Sequence, residues 1–273
     1  MNLLSRLCRV FRRWPLKIHP AIALLSVPLL MYIASVQLAP AQQSATVASG
    51  SHAVLGPEQV VDNLIRRNLE RAQRLAAYHG TRVYRVEYRG FPSSRSAGMV
   101  VDVTYTSPQT KKFIILSETG SKLLIERVLK KLLQSETEAL SEENPRRTAL
   151  NRDNYKFAQV GYESTATGAL YVLSVEPRTK NKFLYHGRIW VDAEDFAVVR
   201  LEGEPAKNPS FWTKDSKIEQ TYAKVNDFWL PALNRSTSDI RLGGRADLTI
   251  EYKDYHATAA APPSKDSKFA GNR

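Results

Sequence analysis

From residue 81 onward apolar and polar positions alternate with a period of two over most of the chain, and helical spacing interrupts the alternation after residue 120. The clearest stretch runs from Gly168 to Glu202, where three short runs are separated by compact turns. Ala169, Tyr171, Leu173 and Val175 alternate with Leu170, Val172, Ser174 and Glu176. Phe183, Tyr185, Ile189 and Val191 alternate with Leu184, His186, Arg188, Trp190 and Asp192, and Ala197, Val199 and Leu201 with Phe196, Val198, Arg200 and Glu202. Strand side chains point to opposite faces in turn, so one face of this meander is uniformly apolar and the other mixed. That is the pattern of an antiparallel sheet packed on one side.

The same spacing predicts a second meander upstream. Tyr84, Val86 and Tyr88 share a face in Thr81–Tyr88; Met99, Val101, Val103 and Tyr105 do so in the next run; Ser107-Pro108 turns into a third, Lys111–Leu116. Downstream, Tyr155–Tyr162, Ile218–Val225 and Asp227–Ile240 read as strands, Pro231 placing the last at an edge or a bulge. Gly243-Gly244 is a turn, and Ala246, Leu248, Ile250 and Tyr252 form the final strand.

Two segments follow helical spacing instead. Gly56-Pro57 opens one with proline at its first position; Val61, Leu64, Ile65, Leu69, Ala72 and Leu75 form its stripe, and Gly80 is expected to end it. The other, Lys122–Leu140, carries Ile125, Val128, Leu129, Leu132 and Leu133 on one side, wide enough to cover a sheet. Glu142–Asn154 reads as a linker with one helical turn. Roughly nine or ten strands and two substantial helices, without regular strand–helix alternation, argue against a doubly wound fold. The expected class is α+β, mainly β: one strongly curved antiparallel sheet with helices covering its apolar concave face.

The first 41 residues stand apart. Arg6, Arg9, Arg12, Arg13 and Lys17 precede an uncharged, mostly apolar run from Ile18 to Val36, and Ala39-Pro40-Ala41 follows. This is the layout of a secretory signal, with an uncleaved membrane anchor as the alternative. Either reading exports the remainder to a periplasmic setting, with a tether to the inner membrane if the leader stays. Residues 42–56 read as a flexible leader, 57–256 as the folded domain and 257–273 as a disordered tail. Cys8 is the only cysteine and precedes the apolar run, so the remainder has no disulfide or thiolate metal site. Without the five basic residues of the leader the formal net charge falls from +12 to +7. That suits an anionic membrane surface, and equally an ordinary solvated surface.

Catalytic motifs are absent from the sequence: there is no phosphate loop, dinucleotide fingerprint, GxSxG elbow or HExxH pair. The histidines are scattered, so no metal or cofactor site is expected. Asp192, Glu194, Asp195 and Glu202 cluster, but around a turn, where Asp is favoured for backbone reasons; Asp192 and Arg200 can pair across that hairpin. Basic residues are dispersed without an aromatic-lined groove, so no nucleic-acid partner is expected. What remains is the concave face. If the strands pair in order, Tyr84, Val86, Met99, Val101, Val103, Tyr171, Leu173, Ile189, Val199, Leu248 and Ile250 fall on it together. Such a face is either filled by its helices as a plain core or left partly open as a cleft for an apolar ligand.

The strand YVLSVEP, the hairpin from Gly187–Asp192 to Phe196–Arg200, the opening helix, the early YRVEY strand and the FWLP stretch with its downstream strand Leu248–Tyr252 resemble the outer-membrane lipoprotein-sorting (LolA/LolB-like) family. The resemblance covers about residues 57–256. It implies an incomplete β-barrel of about eleven strands whose cavity holds acyl chains of lipid or lipoprotein, for carriage between membranes or for sensing. It also implies a binding protein and not an enzyme, a monomer, and transient contact with membranes or a membrane partner. The cover over the cavity falls on Lys122–Leu140, with Ile125, Val128, Leu129 and Leu132 facing inward. No position is matched to the carriers' lid-latching arginine, and the chain has no lipid-anchoring cysteine after the leader. Two other classes stay open: a sensor or adaptor binding a protein through an outer face bearing Trp190, Phe196 and Trp212, and a hydrolase using an unrecognised carboxylate pair.

Overall fold

Period-two alternation becomes a single antiparallel sheet of ten strands among the described residues. The computed structural model describes residues 55–260 apart from 109, 141–143, 166–167, 209–212 and 242. The leader, Trp212 and the end of the tail lie outside those residues. Helix α1 (Pro57–Arg74) runs straight into β1 (Leu75–Arg89), followed by β2 (Arg95–Thr106) and β3 (Thr110–Gly120). A helical cover comes next in three pieces: α2 (Lys122–Leu124), a π-helical turn (Ile125–Leu129) and α3 (Lys130–Ala139). The single helical turn of the linker is α4 (Asn144–Thr148). Then come β4 (Tyr155–Thr165), β5 (Gly168–Pro177), β6 (Tyr185–Asp192), β7 (Val198–Pro205), β8 (Thr213–Val225), β9 (Phe228–Ile240) and β10 (Arg245–Ala259).

The spatial order is β3-β2-β1-β10-β9-β8-β7-β6-β5-β4. Each strand lies beside its sequence neighbour except where the chain crosses from β3 to β4. The last strand closes back on the first, so β3 and β4 are the two edges and the sheet is not closed into a barrel.

Two local readings change, and a third, the edge or bulge at Pro231, resolves as the bulge. Helix α1 stops at Arg74, six residues before Gly80, because Ala77 pairs on one side with Thr106 and on the other with Thr258. Two-sided strand pairing overrides the weak helical preference of this stretch. Gly80 instead sits inside β1, where a Cβ would lie 2.9 Å from the Tyr255 ring. Strand β9 is interior, and Pro231 is accommodated by a bulge: Thr221 pairs with Leu233 but Tyr222 with Pro231. The other change concerns Val199. Trp190 pairs with Arg200 and Val191 with Val198, leaving Val199 as the extra residue of a bulge. Val198 therefore packs in the core beside Leu201, and Val199 is only half-buried and belongs to no core cluster. Beyond these, β10 continues to Ala259, past the expected start of the tail.

Close strand approach is most demanding at Gly187 of β6, which faces Gly203 of β7. Its φ is +155°, and a Cβ there would stand 2.1 Å from the Glu202 carbonyl oxygen. Gly187→Ala is expected to cost about 2 kcal/mol or more. A thermal unfolding midpoint equal to that of the parent protein would show that β6 and β7 separate freely at this point.

Apolar side chains gather in two clusters. One places Val60, Val61 and Leu64 of α1 against Tyr155, Tyr171, Leu173, Val175, Ile189, Val191, Leu201 and Ile218. The other places Leu124, Ile125, Leu129, Leu132 and Leu133 of the cover against β1, β2 and β10. Between them the buried inward positions of β9 are Asn234, Ser236 and Ser238. Asn234 Nδ2 donates to Gln220 Oε1 at 2.7 Å, and the Ser216 and Ser238 hydroxyls are 2.8 Å apart. A polar seam thus crosses the middle of the concave side.

Candidate functional site

Strand register lays out the floor beneath the cover in rows. Val86 stands between Ala97 of β2 and Leu248 of β10, Tyr84 between Met99 and Ile250, and Arg82 between Val101 and Tyr252. On the outer side Val101 pairs with Ile115 of β3 and Val103 with Phe113. The cover enters where the Ser121 amide donates to the Ser96 carbonyl at 2.8 Å, beside the Val86 row, and reaches the Arg82 row with Glu136. Tyr84, Val86, Met99, Val101, Val103, Leu248 and Ile250 are all buried in one cluster with Ile125, Leu129 and Leu132, and Val128 packs partly against it.

Seven of the eleven positions expected on the concave face therefore meet the cover. Tyr171, Leu173 and Ile189 are equally buried but belong to the cluster under α1, across the polar seam. Val199 joins neither cluster, for the bulge described above. The expected single apolar surface is two surfaces, each with its own helix.

A charged group closes the far end of the floor. Glu136 of α3 accepts Arg82 Nη1 at 2.6 Å on one oxygen, and Arg82 Nη2 at 3.1 Å and Lys111 Nζ at 2.5 Å on the other. The three side chains are 3–6% exposed. Arg82 Nη1 also donates to the Tyr84 hydroxyl at 3.3 Å, and the guanidinium lies 4.9 Å from the Tyr252 ring centre. Lys111 Nζ lies 5.7 Å from the Tyr78 ring centre. Burial alone raises the Glu136 carboxyl, but the charges and hydrogen bonds of Arg82 and Lys111 outweigh it and hold it well below the usual carboxylate range. Burial works against the charge on Lys111 and on Arg82, yet the Glu136 carboxylate prevails and raises both above their ordinary values. Burial also raises the hydroxyls of Tyr84, Tyr252 and Tyr255.

Sequence reading missed this triad, although parity marks it. Arg82 precedes Tyr84 by two, and Lys111 precedes Phe113 by two, on the inward faces of their strands. Glu136 follows Leu132 by four and Leu133 by three on the cover's apolar stripe. Each is a charge on a stripe otherwise chosen for burial, and the three signs are complementary.

Outside the hollow, Asp192, Asp195 and Glu202 of the carboxylate cluster each have local partners. Asp192 Oδ1 accepts the amides of Glu194 and Asp195, which builds the turn, while Arg200 pairs with Glu202 and so not with Asp192 across the hairpin. Asp195 accepts Trp229 Nε1 at 2.9 Å and Lys224 Nζ at 2.6 Å. The expected exposed aromatic face is also different. Trp190 is buried, donating Nε1 to Glu163 at 3.0 Å with Arg200 over its ring, and Phe196 is half-buried and stacked 6.4 Å from Tyr171. No group of three or more metal-ligating side chains occurs among the described residues.

No protein-family model matches this chain, and no curated protein matches it. Several solved structures are similar. An outer membrane lipoprotein-sorting protein domain from Vibrio parahaemolyticus aligns at 11% identity and a TM-score of 0.41, over 76% of this chain and 95% of that one. A LolA superfamily protein from Nitrosomonas europaea aligns at 12% identity and 0.34, over 77% and 96%. MucB of Pseudomonas aeruginosa, in its complex with MucA, aligns at 11% and 0.26, over 74% and 100%.

Proposed function

We propose that this is an exported, periplasmic binding protein that holds an acyl chain of a lipid or lipoprotein between the helical cover and β1, β2 and β10. On this reading it carries or senses the chain and performs no chemistry on it. The observation that supports the reading best is the match of floor and roof. Val86, Met99, Val101, Val103, Leu248 and Ile250 face Leu124, Ile125, Leu129, Leu132 and Leu133, and the roof is a helix outside the sheet, widened in its N-terminal half by a π-helical turn. Such turns are often found at functional sites. In the closed form the roof fills the hollow, so entry of a chain requires the cover to move. Each buried CH₂ contributes about 0.8 kcal/mol relative to water, less what is lost when the leucines lift away.

The test is to purify the exported protein without detergent, extract it and analyse the extract by lipid mass spectrometry. Stoichiometric phospholipid or acylated peptide is the expected outcome. Repeated absence of lipid after incubation with membranes would leave the hollow as a plain core. A protein partner is then the second reading, favoured by the open edge at β3. Ile114 and Leu116 are 60% and 59% exposed there, Ile115 is 38% exposed, and an unpaired strand edge invites addition of another strand.

A further inference from the structure

We infer that the hollow selects an acyl chain ending in an anion, a carboxylate or a phosphate, and that Glu136 of the cover occupies the anion's place while the cover is closed. The inference rests on the acyl-binding reading above and adds the chemistry of the ligand's other end.

Charge count comes first. Among the described residues two cations, Arg82 and Lys111, share one carboxylate in a buried setting, so the site carries an excess positive charge. Burying a charge without a full counter-charge is costly, and a purely structural clamp would be served by one cation. Spare donors point the same way. Among the described residues Arg82 Nε is buried without an acceptor, and the hydroxyls of Tyr252 and Tyr255 are buried without a partner. A guanidinium offers five donors in a fixed fork that fits carboxylate and phosphate alike.

The layout of the floor is that of an amphiphile. The rows at Val86 and Tyr84 are lined by Ala97, Leu248, Met99 and Ile250, and the next row is Arg82. At about 3.3 Å per residue, Arg82 lies about 13 Å along β1 from Val86. Location on the moving and fixed parts completes the argument. Arg82 and Lys111 belong to β1 and β3 of the sheet, and Glu136 to α3 of the cover. When the cover lifts, the carboxylate leaves with it and both cations stay. An uncharged chain would leave them bare, whereas an anionic one replaces Glu136 charge for charge and hydrogen bond for hydrogen bond. The ligand's head thus releases the cover as its tail takes the floor.

The experiment is equilibrium binding of oleate, oleoyl lysophosphatidate and oleyl alcohol to the delipidated protein, below their micellar concentrations. Oleate or the lysophosphatidate is expected to bind about ten-fold or more tighter than the alcohol. A preference between the two anions tells whether carboxylate or phosphate is the better fit. Glu136→Gln, which removes the internal competitor, is expected to tighten anion binding about ten-fold while changing the alcohol much less. Lys111→Met, which leaves the Arg82–Glu136 pair in place and keeps the variant set informative if Glu136→Gln folds poorly, is expected to bring the anion-to-alcohol ratio towards one. Equal affinity of the parent protein for anions and alcohol would overturn the inference and leave the acyl reading standing. A Glu136→Gln variant that tightens all three ligands alike would mark Glu136 as a clamp only. Binding of none of them would remove the acyl reading and this inference together.

Discussion

Glu136→Gln is expected to cost the ligand-free protein about 3–5 kcal/mol, because it leaves two buried cations facing an uncharged amide. Arg82→Met and Lys111→Met each leave a one-to-one buried ion pair and should cost clearly less. This order follows from the geometry, since Glu136 accepts from both cations and, among the described residues, neither cation has another carboxylate partner in its hydrogen bonds. Total stabilities of about 5–15 kcal/mol leave room to measure all three by chemical denaturation. Equal losses for the three variants would show that the excess charge is already compensated. Acid should reproduce the effect. Glu136 is held below its ordinary value of 4.5, so the stability it contributes is present above that value and is lost as pH falls from it towards the depressed folded value. The groups facing it are Arg82 and Tyr84 of β1, Lys111 of β3, and Tyr252 and Tyr255 of β10. Among these groups only Glu136 titrates in that range; Glu70, Asp195, Asp247 and Glu251 are held low elsewhere on the protein, so Glu136→Gln should reduce this part of the acid dependence without abolishing it.

The sheet was largely legible in the sequence because its strands keep one face apolar over long runs. Met99, Val101 and Val103, or Tyr171, Leu173 and Val175, declare an inward face that nothing in the structure contradicts. Alternation fails where backbone register slips, and a one-residue bulge leaves no mark on composition: Val198 and Val199 are chemically identical, and only pairing with Trp190 and Val191 decides which one faces inward. The early end of α1 was hidden for a similar reason. LAAYHG suits a helix locally, and it becomes strand because two partner strands await it. The division of the concave face depended on a different omission. Asn234, Ser236 and Ser238 sit at inward parity on β9, yet polar residues on a strand ordinarily read as its wet face. The charged triad escaped because its members are distant in sequence, and each alone looks like surface charge.

Leu129→Ala and Leu64→Ala are expected to destabilise the protein alike, while only the first changes ligand binding. Both leucines are fully buried, and each truncation should cost about 2–5 kcal/mol in transfer and cavity energy. Leu129 belongs to the roof over Met99, Val101 and Ile250, so its truncation opens space where the ligand is proposed to lie. An acyl chain can fill that space, and more copurified lipid per protein is expected. Leu64 belongs to α1, which is tied down at several points. Arg71 donates to the carbonyls of Asp195 at 2.7 Å and Phe196 at 3.0 Å, the Leu55 amide donates to the Tyr171 hydroxyl at 3.1 Å, and Arg152 pairs with Asp62 at 2.8 Å. A cavity under a helix so fixed weakens the fold without offering a path inward, and lipid content should not change. Lipid gained by Leu64→Ala and not by Leu129→Ala would move the binding site across the polar seam to the α1 side. Equal lipid in both variants and the parent would place the ligand outside either cluster.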